Sequence, residues 1–205
     1  MGMRWERQEF NLPEDHGWTA KPGNRVFVGN QGAVRFEVPN TWILEMPKGS
    51  RSFVFLDRKP EADADIRLDV RVMPLAAARP DVDWSQLQPW DEPPIADWLK
   101  KNLAADERVP TRVGNPLTLR LDGTTIVWAE MDFIDPVEKR PAHTRLCYAM
   151  KTQAALLAMI GMDYWDDHAD RAKAAWNDIL GTLKVGEFIE SPFRGPDRRS
   201  RRKQR

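Results

Sequence analysis

Two β-patterned runs, residues 142–150 and 154–162, face each other across the short turn Lys151-Thr152-Gln153. A turn that short joins only antiparallel neighbours. Asp163-Tyr164-Trp165-Asp166-Asp167 follows, read as a loop, and then a helix ending in Trp176-Asn177-Asp178-Ile179-Leu180-Gly181-Thr182-Leu183. Ala172, Trp176, Ile179, Leu180 and Leu183 fall on one stripe of that helix. Asp166 or Asp167 is expected to cap it by accepting backbone N–H bonds. A hairpin that feeds an amphipathic helix closes one face of its own sheet. This fixes much about architecture and nothing about chemistry.

The upstream chain fits the same plan. Val34, Phe36 and Val38 alternate with Arg35 and Glu37, the period of a half-buried strand. Pro39 ends it, because proline cannot donate to a ladder. Short strands are expected at 43–46 and 52–57 around a turn at Pro47-Lys48-Gly49-Ser50. Ile66, Leu68, Val70 and Val72 alternate with Arg67, Asp69, Arg71 and Met73, which gives one apolar face and one mostly charged face. Four prolines make residues 74–93 mostly loop. Pro94 suits a first helical position, and Ile95, Trp98, Leu99 and Leu103 then share a helical stripe. Leu117, Leu119 and Leu121 alternate into Asp122-Gly123, a tight-hairpin signal returning as 124–133. Three parts are expected: an irregular arm at 1–24, one α+β domain at 25–186, and a basic, disordered tail at 187–205.

Composition matters chiefly through charge. The formal net charge is zero, yet residues 194–205 hold seven basic side chains against Asp197 alone. An acidic body therefore balances a basic tail. No apolar run approaches the length of a membrane span; the longest, 154–162, is about half of one. Without an apolar signal core near the start, a cytoplasmic location is expected. The single cysteine, Cys147, excludes an internal disulfide and a multi-cysteine zinc site.

The order strands, long loop, helix, two hairpins, sealing helix, with Phe36-Glu37-Val38-Pro39-Asn40-Thr41-Trp42 near its start, resembles the PsbP-like superfamily. That group spans an extrinsic photosystem protein, a Ran-binding nuclear-transport factor and an uncharacterised bacterial branch, and the resemblance is to the last of these. The resemblance covers residues 25–185. It implies an antiparallel sheet between helical layers and a non-catalytic protein-binding or assembly role, with no shared catalytic set and no cofactor.

Two groups of side chains are candidates for function. Glu130 and Asp132 share one face of their strand; His143 and Arg145 share one face of the next. If the strands pair, all four come together, and two carboxylates with an imidazole suit acid–base or metal-assisted hydrolysis. Cross-strand ion pairs on a solvated sheet face have the same sequence signature. The second group is aromatic: Trp84, Trp90, Tyr164 and Trp165, on loops 74–93 and 163–167, are candidate contacts for a protein partner. Asp163, Asp166, Asp167, His168 and Asp170 are oxygen-rich, but the glycine and ligand spacing of a calcium loop are missing. No metal site is expected there. Cys147 and His143 lie four residues apart, about 13 Å along a strand, too far for a thiolate–imidazole pair. The basic tail allows contact with nucleic acid or an anionic surface. Gly29, Gly32, Gly114 and Gly161 stand at the wrong spacing for a phosphate loop, and neither G-x-S-x-G nor H-E-x-x-H occurs.

Overall fold

A computed structural model describes residues 17–46, 52–58, 64–78, 83 and 94–195. In chain order the elements are β1 (Asn24–Gly29), β2 (Val34–Pro39), β3 (Ile43–Glu45), β4 (Ser52–Leu56), β5 (Ile66–Pro74), α1 (Leu75–Ala78), α2 (Ile95–Ala104), β6 (Arg112–Val113), β7 (Leu117–Leu121), β8 (Thr124–Ile134), β9 (Pro141–Lys151), β10 (Leu156–Trp165), α3 (Ala169–Thr182) and β11 (Lys184–Val185). Strands β3-β4-β5-β10-β9-β8-β6 form the main sheet, with β7 also on β8; β1-β2-β11 form a second, smaller one. Every strand pair is antiparallel. The fold is α+β, as the sequence indicates.

The long central strands carry apolar side chains on both faces, so each face needs a cover. Val127, Ala129, Met131, Tyr148 and Leu157 pack under Leu99 and Leu103 of α2. Leu68, Val70, Ile126, Cys147, Ile160 and Met162 face the other way, toward Trp176 and Ile179 of α3 and Phe36 of β2. Trp176 is fully buried and meets Trp128 edge-on, with ring centroids 5.9 Å apart. The small sheet thus shares the α3 side of the molecule, an extra layer that the sequence pattern did not announce.

The β7–β8 hairpin turns at Asp122 and Gly123 with φ of 50° and 73°. Positive φ at both central residues matches the right-handed twist of the strands they join. Gly32 has φ 94°, and a Cβ there would strike the Glu187 carbonyl. That close approach lets the chain after β11 return along the small sheet, where Ile189 N–H donates to the Gln31 carbonyl at 2.8 Å.

Several expectations need correction. Asn24–Gly29, at the start of the expected domain, is a strand that the sequence reading did not assign; its Val26-Phe27-Val28 run hides the two-residue period. Residues 75–78 form a short helix inside the expected loop. Pro94 caps α2 from outside instead of opening it. The 151–155 turn is a 3-10 turn ending at Ala155 in the left-handed region, so β10 starts at Leu156, later than expected. Strand β10 also runs on through Trp165, so residues 163–165 are strand and not loop. Neither Asp166 nor Asp167 caps α3; His168 stands at the cap position without a side-chain bond to the helix's backbone N–H groups. Within residues 187–195, the Pro192 carbonyl accepts from Trp18 Nε1 and the Arg194 carbonyl from Gly17 N.

Candidate functional site

The register places Glu130 opposite Arg145 and Asp132 opposite His143. His143 in turn faces Tyr164 across the β9–β10 pair. The four polar residues inferred from the two-residue period do come together, on the α3 side of the sheet. They are half-buried or buried rather than laid on a solvated face, with Tyr164 and Asp166 packed against them. The side chain of Arg145 keeps only 10% of its exposure and that of His143 17%.

Each of the four side chains has an identifiable partner. Arg145 Nε and the Tyr164 hydroxyl both donate to Glu130 Oε2 at 2.6 Å. Asp132 accepts from Arg112 Nε at 2.5 Å and meets His143 Nδ1 at 2.9 Å. His143 Nε2 lies 2.9 Å from Asp166 Oδ1, and its ring stacks on Tyr164 with centroids 5.1 Å apart. An imidazole can donate from both nitrogens only when protonated. Burial by itself would lower the His143 pKa, but the hydrogen bonds to Asp132 and Asp166 outweigh it and hold it above its ordinary value. Burial would likewise raise both carboxyls. For Glu130 the hydrogen bonds from Tyr164 and Arg145 outweigh that effect; for Asp132 those from Arg112 and His143 do. Both acids stay below their ordinary values. Burial, then the bond to Glu130, pushes the Tyr164 phenol up.

The site is therefore a closed ion network: His143 as imidazolium between two carboxylates, and Glu130 anionic between a guanidinium and a phenol. A general base needs a free lone pair within reach of a substrate proton, and His143 has committed both of its nitrogens. Glu130, Asp132 and His143 do bring one ligand atom each within 4.8 Å of one another, as a metal site would. The guanidinium of Arg112 also lies 3.6 Å from Glu130 Oε1. A divalent cation at this spot would meet two guanidinium groups, Arg112 and Arg145, already on its carboxylates.

Of the aromatic candidates, Trp84 and Trp90 lie outside the described residues. Tyr164 is buried and its hydroxyl donates to Glu130. Trp165 is half-buried at the end of β10, with the Arg140 guanidinium 4.4 Å from its ring centroid. The acidic segment disperses into separate pairs. Asp163 binds Arg108 and Thr144, Asp166 binds His143, and Asp167 binds Arg140. His168 reaches Asp65 at 3.0 Å. Cys147 is fully buried, and burial drives its thiol pKa well up. Of the basic tail, Arg194 is tied by its backbone to Gly17; residues 196–205 lie outside the described part.

Sequence reasoning missed the surface beside this network. Val109, Ile134 and Val137 stand exposed, at 76%, 48% and 80%. Arg108 packs 4.4 Å over Phe133, and Thr111 N–H donates to the Asp132 carbonyl. These contacts set the 105–111 segment against the same sheet end as the 135–140 turn. Asp135 Oδ1 accepts from Val137 N and Glu138 N, which holds the turn in shape. Val109 has φ 56°, an outlying conformation for a β-branched residue.

The sequence model of a family described as Alr1449 matches residues 25–189. The uncharacterized protein alr1449 of Nostoc sp. is 33% identical over 194 residues, spanning 94% of this chain and 93% of its own length. The fold is also that of two solved structures. The cyanobacterial PsbP (CyanoP) of Synechocystis superposes with a TM-score of 0.51 at 17% identity, covering 82% of this chain and 96% of its own. The Saccharomyces cerevisiae Ran-binding protein Mog1p gives 0.50 at 13% identity, covering 80% and 95%. The fold implied by the sequence resemblance is thus the one observed.

Proposed function

Since this chain belongs to the Alr1449 family and has the PsbP/Mog1-like fold, we propose that it is a non-enzymatic protein-binding or assembly module. Its contact surface in this reading is the sheet end formed by the 105–111 segment, the 135–140 turn and Trp165. The observation that carries the proposal is Val109, a β-branched side chain held at positive φ and turned out to solvent. Backbone strain persists where the surrounding structure enforces it, and it concentrates at working sites. The neighbours suit a docking surface. Val137 and Ile134 supply exposed apolar area, and Trp165 and Arg140, stacked on each other, belong to the residue types that dominate interface energetics. Mog1p, with the same fold, is a Ran-binding protein; the partner of the present chain is a separate matter that the fold does not name.

The test is crosslinking capture from the native cell with the whole protein, run beside Val137→Asp and Trp165→Ala. A polypeptide retained by the parent and lost from both variants, with their thermal melts near the parent's, supports the reading. Capture that is equal in all three places the surface elsewhere.

A second reading, a hydrolytic or metal-assisted enzyme built on Glu130, Asp132 and His143, has one observation in its favour, the 4.8 Å grouping of their ligand atoms. The guanidinium groups of Arg112 and Arg145 weigh against it, because they neutralise the charge that would attract a cation. Titration calorimetry with zinc and with calcium is expected to show no saturable heat. Saturable zinc binding abolished by His143→Gln would reverse the order of the two readings.

A further inference from the structure

On the opposite side of the sheet, a cavity of about 280 Å³ opens between α2 and the α1 end of β5. We infer that it binds a medium-chain carboxylate, with the apolar chain among Met73, Leu157, Met159 and Trp98 and the head at Tyr148, Asn102 and Lys101.

The register builds the apolar wall. Met73 of β5 faces Leu157 of β10, and Met159 faces Tyr148 of β9. All four side chains rise on the α2 side. Two methionines give a flexible, polarizable lining that adapts to an unbranched chain better than branched residues do. The volume lies just below the usual range for ligand pockets, which favours a chain of moderate length.

The polar end is rich in donors. Tyr148 is 3% exposed, and its hydroxyl oxygen accepts a hydrogen bond from Asn102 Nδ2. That leaves the phenolic proton without an acceptor in this pair. If the amide is turned over, Tyr148 donates to the amide oxygen and the Nδ2 hydrogens are left instead. Either way the pair has hydrogens to give and needs an acceptor from elsewhere. Lys101, one residue before Asn102 on α2, brings an ammonium to the same lining, and no acidic residue is among the described residues around the cavity. An anionic oxygen head answers this arrangement; a cationic head meets Lys101 unfavourably, and a neutral alcohol gains nothing from its charge.

The test uses the full chain and decanoate below its micelle concentration, with decylammonium and decanol as head-group controls, read by calorimetry and saturation-transfer NMR. Decanoate is expected to bind with one-to-one stoichiometry and decylammonium not to saturate. Lys101→Gln, at an exposed helix position, is expected to weaken decanoate about five- to tenfold. Tyr148→Phe should weaken it similarly without affecting the apolar wall, and Met159→Trp should abolish it by filling the space. Absence of saturable decanoate binding overturns the inference. So does equal affinity for decylammonium, or an affinity that neither Lys101→Gln nor Met159→Trp changes.

Discussion

His143 shows how one residue's environment sets its protonation. Its pKa is raised in the folded protein, so its contribution to stability is full below the unfolded value of about 6.5. That contribution is lost as pH rises through the higher folded value. Glu130 and Asp132 are lowered; their contribution is full above the ordinary carboxylate range and lost as pH falls through their folded values. The network is thus strongest between these limits. His143→Gln is expected to cost about 1–3 kcal/mol near pH 5.5 and clearly less near pH 9, as read from denaturant melts at each pH. An equal loss at both would mean that the imidazole is neutral in the fold. Cys147 offers a simpler check. Its burial and raised pKa predict no reaction with a thiol reagent until the protein unfolds. The cluster of Glu130, Asp132, His143 and Arg145 was legible in the sequence because strand periodicity assigns faces without knowledge of anything distant; the pairing of Glu130 with Arg145 and of Asp132 with His143 came from the register. The sequence reading makes Tyr164 a partner contact and not a member of the cluster, although the signal for the latter was present. The alternation Ala158, Ile160, Met162 continues to Tyr164, and following it two residues further would have put the phenol on the cluster's face. Asp166 and Arg112 had no such signal, since a turn and a two-residue strand carry no period.

At the scale of elements, α3 and α2 are the two covers of one sheet, and their anchors differ. Helix α3 is nailed down by Trp176 and, at its start, by Arg171 reaching the buried Asp57 carboxylate at 2.9 Å. Trp176→Ala is expected to cost about 3–5 kcal/mol, measured by denaturant unfolding; a loss under about 1 kcal/mol would show that the α3 face can collapse around the gap. The Trp176 Nε1 atom is buried without a hydrogen-bond partner among the described residues, so Trp176→Phe should cost much less than truncation to alanine. The helices themselves were readable from their apolar stripes. Their caps were not. The acids expected to cap α3 formed stronger charged pairs with His143 and Arg140, and a backbone N–H could not compete for them.

For the molecule as a whole, two surfaces invite experiment: the strained, apolar sheet end with Val109, Val137 and Trp165, and the donor-rich cavity under α2. Gly32 links the halves of the small sheet, and Gly32→Ala is expected to lower the melting temperature through both its positive φ and the clash with Glu187. An unchanged melt would mean that the 187–195 segment contributes little to stability. The sequence by itself determined the class, the hairpins, the helical stripes and the faces of the central strands, because these depend on spacings within a few residues of each other. Only the tertiary structure decided that the cluster would close into a saturated ion network, that a second sheet would form from β1, β2 and β11, and that Val109 would be held out to solvent. The network joins residues from Arg112 to Asp166, the second sheet joins β2 to β11 across more than a hundred residues, and Val109 sits in a turn fixed by its surroundings; the free energy of bringing such groups together is set by packing that no local pattern encodes.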